Sequence, residues 1–138
     1  MTFEYIKYVM ENCECLNGFS VSVDYVSEKE KSISIIPKNS YKCLKTYSDG
    51  EKIMGFDFSL IIRLKTNLSD KSENYRMLDN IAEWIYSFAP DRYEINPGEK
   101  YKPLKIEVIS GPILDSDDIR SGRYRIDCRF DCLWKNII

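Results

Sequence analysis

The stretch Ile53-Met-Gly-Phe-Asp-Phe-Ser-Leu-Ile-Ile-Arg-Leu-Lys65 decides how this chain folds. Phe56, Phe58, Leu60, Ile62 and Leu64 recur at every second position, with Gly55, Asp57, Ser59, Arg63 and Lys65 between them. Successive side chains of a strand point to opposite faces, so this period predicts a strand with one face in a core. A strand of this length belongs in the middle of a sheet. The same period returns near the end of the chain. There Tyr124, Ile126, Cys128, Phe130, Cys132 and Trp134 alternate with Arg123, Arg125, Asp127, Arg129, Asp131 and Lys135.

Outward from these two strands the periods change. Phe3, Ile6, Val9, Met10 and Cys13 fall on one helical stripe, with Thr2 placed to cap the helix and Asn17-Gly18 to stop it. A second helix is predicted from an N-cap at Ser69, with Asp70 and Glu73 in its first turn, to about Phe88, before Pro90. Leu78, Ile81, Ala82, Ile85 and Phe88 form its apolar stripe, widened by Met77 and Trp84. Phe19 to Val26 alternates, with Phe19, Val21, Val23 and Tyr25 on the inner face. After a charged turn at residues 27–31 comes a short strand bearing Ile33 and Ile35, closed by Pro37, and the two are expected to form a hairpin. Tyr41 to Tyr47 reads as a further short strand, ending in the turn Ser48-Asp49-Gly50. Residues 90–103 read as a surface loop, Leu104 to Ser110 as a strand that Gly111-Pro112 breaks, and Asp115 to Gly122 as a polar loop. The order is α-β-β-(β)-β-α-β-β. Strands in runs, rather than alternating with helices, predict one α+β domain over 1–138, a mostly antiparallel central sheet flanked by two helices.

Composition narrows the chemistry. The 138 residues hold 20 Lys and Arg against 22 Asp and Glu, a net charge of −2, so no basic surplus exists to neutralise a track of phosphates. Sequence-specific nucleic-acid binding is therefore disfavoured. Histidine is absent, which removes the usual general base and the commonest metal ligand. Glu4 and Lys7 interrupt any signal-peptide pattern in Met1 to Val9, and no run reaches the length of a membrane span. Five cysteines without such a signal suggest reduced thiols in a cytosol.

Some clusters carry both a chemical reading and a plainer one. Cys13-x-Cys15 with Cys128-x3-Cys132 could offer four thiolates to zinc. The spacings differ from the usual C-x2-C pairs, and Cys128 and Cys132 stand roughly 13 Å apart along a strand, so buried thiols are the expectation. Asp115, Asp117 and Asp118 lack the central glycine and closing glutamate of a calcium loop and read as a solvated tip. No His-based triad and no phosphate-binding glycine motif is present. Two readings of the mixed-sign face of the last strand stand side by side: a solvated face with cross-strand ion pairs, or a charged face that docks on its complement in a neighbouring subunit.

The arrangement resembles the tail-terminator (minor capsid) proteins of prophages in low-G+C Gram-positive bacteria. The features that carry the resemblance are a short N-terminal helix leading into Phe19-Ser-Val-Ser-Val-Asp-Tyr25, the strand Phe56 to Lys65 with the helix Ser72 to Trp84, Lys105-Ile-Glu-Val-Ile-Ser-Gly-Pro112 before a polar loop, and Gly122 to Trp134 at the close. The resemblance implies a structural protein without enzyme activity or cofactor. It implies a ring, six subunits in such proteins, that caps the tail tube and presents a surface to the head connector. Its expected partners are other copies of itself, the tail tube protein and the head connector protein. Its expected location is the bacterial host cytoplasm during assembly and then the virion tail. A chain balanced in charge would also line a DNA passage without sticking. Asp115, Asp117, Asp118, Arg120, Arg123, Arg125 and Arg129 are the candidate oligomer or partner contacts. The alternatives are another head–tail connector or completion protein, the tube protein itself, or, in a different class, a small enzyme or ligand-binding module with a pocket under residues 90–103, lined by Tyr93 and Tyr101.

Overall fold

The computed structural model describes residues 2–26, 31–38, 41–65, 72–87, 101–117 and 121–135. Its elements are α1 (Thr2–Glu11), a 3-10 turn (Glu14–Leu16), β1 (Ser20–Val23), β2 (Ser32–Pro37), β3 (Lys42–Thr46), β4 (Lys52–Lys65), α2 (Ser72–Tyr86), β5 (Tyr101–Asp117) and β6 (Ser121–Trp134). The strands form one sheet in the order β1-β2-β4-β6-β5, with β3 also paired to β4. All pairings but β1–β2 are antiparallel, so the α+β expectation holds.

β4 is the spine. β6 runs along its whole length, from Lys52 opposite Trp134 to Lys65 opposite Ser121. Its other side is shared end to end by β2, opposite Phe58 to Arg63, and β3, opposite Lys52 to Gly55. The alternation sets the layers. Phe56, Phe58, Leu60 and Ile62 are fully buried, as are Ile33, Ile35 and Ile126, and Tyr124 and Phe130 nearly so. Both helices cover this face and no other. Tyr5 of α1 stacks on Phe130 with centroids 5.4 Å apart, Phe3 meets Phe58 edge-on, and Tyr75 of α2 meets Tyr124 edge-on. Leu78, Ile81 and Ile85 of α2 complete the core, as the stripe predicts, with Met77 and Trp84 packed against it.

Several local expectations are corrected. β1 and β2 are parallel neighbours, Ser20 opposite Ser32 and Val23 opposite Ile35, and do not form a hairpin. In sequence they are separated by residues 24–31, more than a tight hairpin turn needs. Asp24, just after β1, and Lys31, just before β2, take positive φ of 66° and 54°. Tyr25 lies beyond β1 and is exposed, while Ser22 of the other face is buried and bonds Ser34 Oγ at 3.1 Å. Thr2 is the first residue of α1 rather than its cap, and α1 ends at Glu11, with Cys13 already in the extended link to the 3-10 turn. Ser69, Asp70, Phe88 and Pro90 lie outside the described residues.

The largest correction concerns β5. It begins at Tyr101, inside the expected loop, and continues through Gly111-Pro112 to Asp117. The outer position of β5 removes the usual cost of proline, since its outward backbone groups owe no ladder bond. Tyr101 to Asp117, 17 residues, faces only Trp134 to Gly122, with register shifts after Pro103, Val108, Ser110 and Leu114. Each shift is a bulge that reverses which face the following side chains take.

Candidate functional site

The periodicity that sends large apolar side chains toward the helices sends Ser59, Asp127, Arg125, Arg129 and Asp131 to the opposite face. Among the described residues no helix covers that face. Cross-strand register aligns its side chains in rows. Ile36, Ser59, Asp127 and Ser110 form one row, Asp57, Arg129 and Glu107 the next, and Gly55, Asp131 and Lys105 a third.

Ion pairs link these rows. Arg129 donates through Nη2 to Glu107 Oε1 at 2.8 Å and through Nε to Asp131 Oδ1 at 3.0 Å. Lys105 lies 3.7 Å from both Glu107 and Asp131, closing a four-membered cluster in which Asp131 is almost fully buried. A second cluster begins at Asp115, which accepts from Arg123 Nε at 3.0 Å and lies 3.7 Å from Arg125 Nη1. Arg125 Nε stands 3.5 Å from Asp127 Oδ1, a charge pair without hydrogen-bond alignment.

Asp127 joins the two halves. Its carboxylate accepts from Ser59 Oγ at 2.7 Å and Ser110 Oγ at 2.9 Å, with Lys38 Nζ at 3.3 Å. Burial opposes ionisation of Asp127, but the hydrogen bonds from Ser59, Ser110 and Lys38, with the charge of Lys38, outweigh it and hold the carboxyl below its usual value. A carboxyl whose pKa is lowered on folding adds stability that is fully present above the unfolded pKa, near 3.8, and lost as pH falls through the lower folded value. Asp127→Asn is therefore expected to flatten the acid limb of the stability profile against wild type, read by urea unfolding from about pH 6 to about pH 2.5. Asp127→Ala, which strands two hydroxyls and a lysine, should cost about 1–2 kcal/mol at neutral pH. Equal acid limbs in Asp127→Asn and wild type would contradict this account.

Between the clusters lies an open depression of about 330 Å³, bordered by Lys38, Asp57, Ile109, Ser110, Asp127 and Arg129. Ile109 and Ile113 stand exposed on β5, at 56% and 44%. The face thus carries apolar spots among paired charges.

The candidate contacts divide as follows. Asp115, Arg123 and Arg125 meet in one cluster. Arg129 belongs to the other, with Glu107 and Asp131. Asp115 is a strand residue, not part of a loop, because β5 continues to Asp117 and β6 starts at Ser121. Asp117 sits in β5 opposite Gly122, and Asp118 and Arg120 lie outside the described residues. Lys38, Ser59, Ser110, Lys105 and Glu107 were missed. The polar half of each alternation marked Ser59, but only the bulged register of β5 brings Ser110 and Glu107 to the same place.

Among the described residues the four cysteines considered for zinc do not come together as one metal site. Cys128 and Cys132 are buried among core side chains, and burial pushes both thiols up, Cys132 to about 12. Cys43 is exposed on β3. Among the described residues no three His, Cys, Asp or Glu side chains are placed to hold a metal ion, and no helix is long and apolar enough to cross a membrane. No protein-family model and no curated protein matches the chain.

Proposed function

We propose that this chain is a structural assembly protein, a phage tail terminator that closes into a ring on the tail tube and offers its outer surface to the head connector. The observation that carries the reading is the sheet face opposite the helices. It presents one ion-pair cluster at Arg129 and another at Asp115, joined through Asp127, with Ile109 and Ile113 exposed between charges. Apolar spots within an arginine-rich polar rim suit docking on another protein surface. The sequence resemblance supplies the identity of the assembly, and the reading assigns no catalysis. In such a ring each subunit presents one surface to a different surface of its neighbour, and the rotation between them closes the circle.

A small binding module is the reading from another class. One observation weighs against it. Tyr101, one expected lining residue, belongs to β5 and packs edge-on against Trp134 at 5.5 Å. Tyr93 lies outside the described residues.

Light scattering of the purified chain across a range of concentrations, with electron microscopy of the same sample, tests the proposal. Closed rings without filaments are expected. Filaments would favour the tube protein instead. Ile109→Asp with Ile113→Asp should leave the melting curve nearly unchanged, since exposed substitutions rarely cost more than about 0.5 kcal/mol, yet abolish rings. Should wild type stay monomeric, binding to isolated tail-tube ends is the second measurement. Failure of both would overturn the reading.

A further inference from the structure

Cys13 and Cys15 flank the start of the 3-10 turn that joins α1 to β1. Cys13 has extended backbone, φ −74° and ψ 121°, and its carbonyl accepts from the Leu16 amide at 3.0 Å. This fold of the backbone brings the two sulfur atoms to 2.9 Å, about 1 Å beyond a covalent S–S bond. Cys13 is buried, while Cys15 is half-buried at the seam with α2, its sulfur 4.0 Å from the Asn80 carbonyl. Cys15 is thus the more exposed residue of the pair, with the buried Cys13 sulfur against its own.

We propose that Cys13 and Cys15 form a reactive dithiol site that captures low-molecular-weight disulfides and closes into an internal Cys13–Cys15 disulfide. The hydrogen bond from Cys13 holds the Cys15 thiol near 7, against opposition from burial and from the charge of Glu14. That places Cys15 among nucleophilic thiols at neutral pH. The same hydrogen bond, with burial and the Cys15 charge, pushes the Cys13 thiol upward, so Cys13 keeps its proton while Cys15 is a thiolate.

The chemistry runs in two exchanges. The Cys15 thiolate attacks one sulfur of glutathione disulfide, forms a Cys15–glutathione mixed disulfide and expels one glutathione thiolate. Capping removes the charge on Cys15 and the acceptor that retained the Cys13 proton. Cys13 then loses its proton to solvent and attacks the Cys15 sulfur, expelling the second glutathione thiolate. Two protein thiols are oxidised and one glutathione disulfide is reduced to two glutathione thiols. Cys43, exposed but without a neighbouring cysteine sulfur among the described residues, has no partner for the second step. Cys128 and Cys132 are too buried to enter the first.

The test uses the full chain, reduced, freed of reductant and exposed to glutathione disulfide at neutral pH, then mapped by peptide mass spectrometry. In wild type the peptide holding Cys13 and Cys15 should lose two hydrogens and carry no glutathione, while Cys43 retains its adduct. In Cys13→Ser, Cys15 should keep glutathione. Two results would overturn the proposal: a stable glutathione adduct on Cys15 in wild type, or free Cys13 and Cys15 thiols under conditions that fully modify Cys43.

Discussion

Replacing Phe130 by alanine should lower the unfolding free energy by about 4 kcal/mol. Phe130 is 1% exposed at the centre of the sheet's covered face. It stacks on Tyr5 at 5.4 Å and on Phe56 at 6.0 Å, and its cross-strand neighbours are Phe56 and Ile106. Alanine removes the ring's transfer energy and leaves a cavity that three strands and α1 close only in part. Domains of this kind hold only about 5–15 kcal/mol in total, so the loss is a large share. In thermal unfolding it corresponds to a fall of roughly 15 °C. Phe130→Leu, which refills most of the volume, should cost far less, about 1.5 kcal/mol. A Phe130→Ala loss under about 1 kcal/mol would mean that the aromatic stack is not a structural centre. The effect reaches the other face, because Arg129 and Asp131 flank Phe130 on β6 and take their positions from it.

The second large effect is expected at Gly111. Gly111 and Pro112 together face Ile126, since Ser110 pairs with Asp127 and Ile113 with Arg125. Gly111 holds φ at +99°, a region that side-chain-bearing residues rarely adopt. A Cβ added there would lie 2.6 Å from the Arg125 carbonyl oxygen and 3.2 Å from the Ile126 Cα. Both are backbone atoms of the partner strand, so no side-chain rotation relieves the contact. Gly111→Ala is expected to cost about 2–3 kcal/mol and to push β5 off β6 beside Ser110. The Ser110 hydrogen bond to Asp127 should weaken with it, so this variant's acid limb should shift toward that of Asp127→Asn. Urea unfolding at neutral and acid pH reads both effects. Wild-type stability in Gly111→Ala would refute the bulge geometry.

β4 and β6 were legible because a regular ladder keeps its period in the sequence. Phe56 to Leu64 and Tyr124 to Cys132 are buried as the alternation predicts. The stripe of α2 was legible for the same reason. β5 was not, because its bulges reset the parity of inward and outward residues. Ile106 is buried, Ile109 and Ile113 are exposed, and Gly111-Pro112 imitates a chain break. The direction of β1 was hidden in another way. Alternation marks a strand but says nothing about which way its neighbour runs, and the charged run 27–31 imitated a tight turn. On the open face, Asp115, Arg123, Arg125 and Arg129 were visible as charges on one strand and its approach. Glu107, which pairs with Arg129, and Lys105, Ser110 and Lys38, which pair with Asp131 and Asp127, come from elements whose register no local pattern encodes.

The irregular course of β5 has a consequence for crowding. A long outer strand with a free row of amides and carbonyls is a template on which another chain can add a strand, and such addition leads to fibrils. Here Pro103 and Pro112 supply no amide, and repeated bulges break the even spacing that an incoming strand would need. At this edge, therefore, an approaching chain meets no regular backbone template, and contact falls to side chains.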